Sequence, residues 1–211
     1  MTTNSPAPAL APAPALAQAL VLASASAART AMLRAAGVDH VCDPAHVDET
    51  AVKAAWSGTA EGLALELARV KALEVARRHP GALVIGADQV LAFDDKILDK
   101  PGSVYRVRGQ LTKLRGRSHT LISAVAVVRD DEVLWQNADQ AHLAMRDFSD
   151  AFLDDYINEV GEQVASSVGA YHLEGLGAQL FDTVDGEYFT VLGLPLIPLM
   201  GFLRTQGLLK S

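Results

Sequence analysis

Residues 82–93 read ALVIGADQVLAF, an apolar run broken by one acid, Asp88, between Gly86 and Gln89. Short runs rich in Val, Ile and Leu are strand signals, and here they fall at 83–86 and 90–93. A carboxylate at the end of a buried strand is costly unless it is paired or bound to a metal. Such placement is typical of α/β active sites, so Asp88 is the leading candidate for chemistry; a turn-former is the plainer reading. Working outward, further strand signals lie at 19–23, 121–128 and 133–135. Helical signals lie at 27–36, 61–78, 104–114, 149–159 and 196–205. Their alternation predicts an α/β fold of layered sheet and helices.

The 211 residues are 50% hydrophobic, enough for a sizeable core in a single domain. Residues 1–19 form an Ala/Pro-rich stretch read as a flexible tail, and 20–211 as one compact unit. The net charge of −7 offers no broad basic face, so nucleic-acid binding is not expected. A single cysteine, Cys42, rules out an internal disulfide and suits a reducing compartment, with the cytoplasm as the expected location. No apolar run reaches the roughly 20 residues that span a bilayer.

Four more segments carry candidate chemistry. LVLASASAARTAML (20–33) runs from strand through a Ser-rich turn into a helix, which places backbone N–H groups at a strand's carboxyl end. Ser24 and Ser26 either cap the helix or meet phosphate. Arg29 opposes the dipole of the helix's first turn, which an anionic ligand would explain and a solvated side chain would not need. HVDET (46–50) pairs Asp48 with Glu49, read either as a surface cap or as a Mg²⁺-binding carboxylate beside substrate phosphates. In ELARVKALEVARR (66–78), Lys71 shares a face with Ala64, Leu67, Ala68 and Val75. It either snorkels to water or carries its ammonium to a phosphate. In DDKILDKPG (94–102), Asp94 and Asp95 form a hairpin turn, and Pro101 holds Lys100 extended.

The segment SVGAYHLEGLGAQLF (167–181) and VLGLPL (191–196) carry Gly169, Gly175, Gly177 and Gly193, a density that suggests close backbone approach. There is no P-loop, no His/Cys metal cluster and no GxSxG elbow.

Taken in order, LASASAAR, VDE, LARVKA, IGADQV, DKP, GRSH, GAYHLEG and LGLPL resemble the motifs of the Maf family of nucleotide pyrophosphatases. The likeness spans nearly all of residues 20–205. It implies a mixed central sheet with flanking helices and two lobes around a nucleotide cleft, a fold similar to ITPase. It also implies that water attacks the α-phosphorus of a nucleoside triphosphate and releases pyrophosphate. Asp88 would then be the general base and also a metal ligand. Glu49 would bind Mg²⁺ or Mn²⁺; Ser24, Ser26, Arg29, Lys71 and Lys100 would hold the substrate.

Departures from the family bear on the base. Ala27 and Ala28 stand where relatives have Pro-Arg, or an aromatic at the second position. Gln89 and Glu174 resemble the branch acting on 7-methyl-GTP rather than the branch acting on dTTP and UTP. Ala28, Gln89 and Glu174 are therefore the expected specificity positions. A nucleotide-binding regulator of septum formation with little turnover is the competing reading, and a homodimer is one option for the assembly.

Overall fold

A computed structural model describes residues 19–210. The predicted tail lies outside the described residues apart from Ala19. In chain order the elements are β1 (Leu20–Leu22), α1 (Ala27–Ala35), β2 (Val41–Cys42), α2 (Glu49–Ala55), α3 (Ala60–Ala76), β3 (Leu83–Phe93) and β4 (Lys96–Leu98). Then follow α4 (Val104–Leu114), β5 (Ser118–Arg129), β6 (Glu132–Met145), α5 (Asp150–Val160), β7 (Phe181–Asp185), α6 (Tyr188–Val191) and α7 (Leu196–Thr205). Short 3-10 turns occupy Gly161–Ser166 and Leu176–Leu180. The seven strands form one mixed sheet in the order β2-β1-β3-β5-β6-β7, with β4 also paired to β3.

The two runs 83–86 and 90–93 are one strand, which corrects the expectation that Asp88 ends a strand. The reason is β5, which pairs with β3 residue for residue from Leu83↔Arg129 to Ala92↔Thr120 and carries the backbone straight through Asp88↔Ala124. The opposite edge of β3 is divided. Parallel β1 pairs with Leu83, Val84 and Ile85, and antiparallel β4 pairs with Leu91, Ala92 and Phe93. Between these partners the edge of β3 is left without a strand, and Asp88 lies in that gap. The hairpin turn at Asp94–Asp95 joins β3 to β4, with Asp94 at φ 53°.

The other differences have local causes. The signal at 133–135 belongs to a 14-residue strand, β6, whose middle reads QNADQ and is held as strand by its ladder to β5. The sequence reading missed β2, which is exposed, and α2, which buries no residue; neither presents an apolar pattern.

On one face of β3, Leu83, Ile85 and Ala87 pack with α1 and α7, while Leu91 and Phe93 join α4, α5 and the segment around Tyr171. The same strand thus supports two cores, and a cleft opens between them. The other face is covered by α3, whose N-cap Thr59 accepts from Gly62 N. Contact there is close: a Cβ at Gly86 would lie 2.1 Å from the carbonyl oxygen of Ala68. Only glycine permits this approach, and it sets Lys71, one turn beyond Ala68, above Asp88. Among the described residues no helix is long and apolar enough to cross a membrane.

Candidate active site

The cleft has a volume of about 1040 Å³ and is lined by the β1–α1 turn, α2, α3, the middle of β3, the loop after β4, the 166–174 loop and residues 191–193. Every residue predicted for the site lines it: Ser24, Ser26, Ala28, Arg29, Glu49, Lys71, Asp88, Gln89, Lys100 and Glu174.

At its base, Lys71 Nζ stands 2.5 Å from Asp88 Oδ1 and 2.6 Å from Glu49 Oε1. The lysine side chain is only 12% exposed, so it does not snorkel to water. Instead it joins two carboxylates from separate elements, one at the first turn of α2 and one at mid-strand. Asp48 is the cap of α2, accepting from Ala51 N at 3.0 Å, which leaves Glu49 as the acid facing inward. Burial pushes the Glu49 carboxyl up. The bond to Lys71 and the charges of Lys71, Lys53 and Lys100 outweigh this and hold its pKa below the ordinary value.

The β1–α1 turn combines both readings of its serines. Ser26 caps α1 by accepting from Arg29 N at 3.3 Å. Arg29, however, is not solvated. Its Nε donates to Gly193 O at 2.8 Å, and its Nη1 donates to Ala87 O at 3.0 Å and Ser24 Oγ at 3.2 Å. The guanidinium therefore fills part of the gap on the edge of β3, and Nη2 has no partner among the described residues. Burial lowers its pKa and the charges of Asp88 and Glu49 oppose that shift.

Lys100 lies at the exposed rim without a hydrogen-bond partner among the described residues. The sequence reading missed Lys53, which lines the cleft from α2 and pairs with Asp99 at 2.5 Å. The two N–H groups of Gln89 Nε2 are shared among Ser123 Oγ, Thr190 O and Val191 O, so its amide oxygen is its remaining polar atom. Glu174 is exposed and Ala28 half-buried on the wall of the cleft. No group of three or more His, Cys, Asp or Glu suited to a metal occurs among the described residues.

Behind the 166–174 loop, His119 Nε2 lies 2.6 Å from Tyr171 Oη, and both side chains are buried. Burial raises the tyrosine pKa, so the hydroxyl keeps its proton in its hydrogen bond with the imidazole. His119 Nδ1 has no partner among the described residues, and burial pushes the imidazole pKa down to about 4. Unfolding lets the ring take up a proton near its ordinary value of 6.5. Its contribution to stability is thus complete above about pH 6.5 and falls by about 1.4 kcal/mol per pH unit toward pH 4. Asp43, held to about 2 chiefly by its hydrogen bonds to Arg78 and His79, acts only below the ordinary carboxylate range. Denaturant unfolding between pH 7 and 5 should show the His119 slope, and His119→Gln should flatten it. An equal slope in the variant would exclude His119 as its source.

The cleft beside β3 thus brings together two carboxylates, the lysine they share and an arginine with one nitrogen, Nη2, unpaired among the described residues. The family model described as Maf-like protein matches residues 19–206, and the chain belongs to the Maf family. A protein of Paramagnetospirillum magneticum named nucleoside triphosphate pyrophosphatase is 52% identical over 86% of this chain and 95% of its own length. One of Brucella abortus named 7-methyl-GTP pyrophosphatase is 46% identical over 84% of this chain and 91% of its own. Among solved structures, a dITP/XTP pyrophosphatase of Mycobacterium abscessus aligns over 90% of this chain and 96% of its own at 16% identity and TM-score 0.44.

Proposed function

We propose that this chain hydrolyses a nucleoside triphosphate to the monophosphate and pyrophosphate with a divalent cation, Mg²⁺ or Mn²⁺. The observation that carries the reading is the convergence of Glu49 and Asp88 on Lys71 at the base of a cleft that also presents Arg29 and Lys100. The relatives named above support it.

The donor set fits a hard cation. Asp88 Oδ2 and Glu49 Oε2 are unengaged among the described residues, and magnesium is commonly held by one or two carboxylates with substrate phosphates and water completing the shell. When bound, such an ion neutralises charge on the transferring phosphoryl group. Asp88 accepts the proton of the attacking water. The water oxygen bonds to the α-phosphorus as the bond to the bridging oxygen breaks, and pyrophosphate leaves. Lys71, Arg29 Nη2, Ser24, Ser26 and Lys100 hold the phosphates. A panel of canonical and modified triphosphates, scored for monophosphate and pyrophosphate, tests this directly. Orthophosphate as sole product, or binding without turnover across the panel, would refute it; the second result would favour the regulator.

For the base, Gln89 offers an acceptor because its nitrogen is engaged, and Glu174 is an acceptor by its charge. Two acceptors suit the N–H edge of a guanine-type base and leave the O2 and O4 acceptors of uracil poorly met. An unpaired polar group costs about 1–3 kcal/mol, roughly ten- to hundred-fold in kcat/KM. Glu174→Gln should therefore shift preference toward UTP or dTTP, and Ala28→Trp should favour 7-methyl-GTP by supplying a face for a cationic base. A wild type that prefers UTP or dTTP, with a ratio unmoved by Glu174→Gln, would remove Glu174 from base reading.

A further inference from the structure

Three polar side chains stand in register across the middle of the sheet: Gln89 on β3 faces Ser123 on β5, which faces Asp139 on β6. All three bond to the segment that begins in α6. The directions are forced by chemistry. Thr190 O and Val191 O only accept, so the Gln89 atom at 3.1 and 3.0 Å from them is its nitrogen. Ser123 donates to Thr190 O at 2.7 Å and accepts from Gln89 at 3.0 Å. Thr190 Oγ1 donates to Asp139 Oδ2 at 2.6 Å. Ser123 and Thr190 are fully buried, where polar groups persist only when bonded.

The network ends at the arginine. Thr190 O also accepts from Gly193 N at 3.1 Å, closing a tight turn with Gly193 at φ 98°, a conformation that favours glycine. The Gly193 carbonyl then accepts from Arg29 Nε at 2.8 Å. A Cβ at Gly193 would meet Arg29 Nη2 at 3.5 Å, so the turn and the guanidinium are in direct apposition. Ordering a long arginine costs conformational entropy, which a fixed acceptor removes before the ligand arrives.

We infer that Thr190 and Asp139, with Ser123, are positioning residues for Arg29. They fix the Gly193 carbonyl so that Arg29 turns Nη2 toward the phosphates. What Arg29 holds rests on the proposed pyrophosphatase reading; the clamp on its side chain does not.

Thr190→Val keeps the shape of the side chain and deletes the bond to Asp139, while Thr190→Ser retains it. In ¹⁵N-labelled protein the Arg29 Hε resonance, assigned by its loss in Arg29→Lys, should exchange slowly with solvent in wild type and in Thr190→Ser. In Thr190→Val it should exchange about tenfold faster. Calorimetric affinity for inorganic pyrophosphate should fall about tenfold in Thr190→Val and recover in Thr190→Ser. A role confined to stability would shift the melting midpoint and leave both readouts unchanged in the folded variant. An unchanged Arg29 Hε exchange rate in folded Thr190→Val overturns the inference, and faster exchange with unchanged pyrophosphate affinity removes Arg29 from phosphate binding while leaving the clamp in place. If that variant does not fold, Asp139→Asn is measured in the same two ways with the same expectations. A wild type that converts no triphosphate would refute the pyrophosphatase reading, and the Arg29 exchange rate would still decide the clamp.

Discussion

Asp88→Asn should leave the fold intact and lower kcat by about 10²–10⁴-fold, the usual worth of general-base assistance. Asparagine has the size of aspartate and still offers an oxygen to Lys71 Nζ, and the ladder between β3 and β5 does not depend on the side chain. Lys71 keeps Glu49 at 2.6 Å, so its ammonium is not left unpaired. What disappears is the proposed base and one charge of the candidate cation site, so kcat should fall and more metal should be needed for half-maximal rate. Steady-state kinetics over a metal titration, beside a thermal melt, checks both parts. A variant with near-normal kcat would remove Asp88 from the base role.

Lys71→Met should lower kcat/KM by about 10²–10³-fold, a loss comparable to that of one preorganised donor in a polar active site. The methionine fills the apolar contacts of the lysine stem on α3, so the helix retains its packing. The change leaves Glu49 and Asp88 facing each other without the cation between them. Breaking a buried ion pair is costly because it strands the remaining charge. The variant's melting midpoint should therefore fall and recover more with added Mg²⁺ than that of wild type. Unchanged kcat/KM would return Lys71 to a structural role, and an equal response of the two midpoints to Mg²⁺ would separate these carboxylates from the metal.

These residues differ in how far the sequence revealed them. Lys71 was legible because a lysine among Ala64, Leu67, Ala68 and Val75 conflicts with an apolar helix face, and the structure resolves that conflict with two carboxylates. Asp88 stood out for the same reason, yet its place was misread. A break in apolar patterning resembles a strand end, whereas the gap arises because β1 and β4 share one edge of β3, a tertiary fact that local sequence does not encode. The role of Arg29 was half legible. Its opposition to the helix dipole signalled a partner, but its acceptor Gly193 is 164 positions away in the chain. Asp139 gave no signal at all, since it lies in a polar stretch of β6 that reads as loop. Glu174 was reached only through the family resemblance, because an exposed glutamate in a glycine-rich loop carries no local mark of function.

In the proposed reaction, water attacks the α-phosphorus in the cleft built around Asp88. Hydrolysis of a turned-over triphosphate in H₂¹⁸O, with both products analysed by mass spectrometry, tests it most directly. The expected result is one ¹⁸O atom in the nucleoside monophosphate and none in the pyrophosphate; label in the pyrophosphate, or in released orthophosphate, would rule out attack at the α-phosphorus.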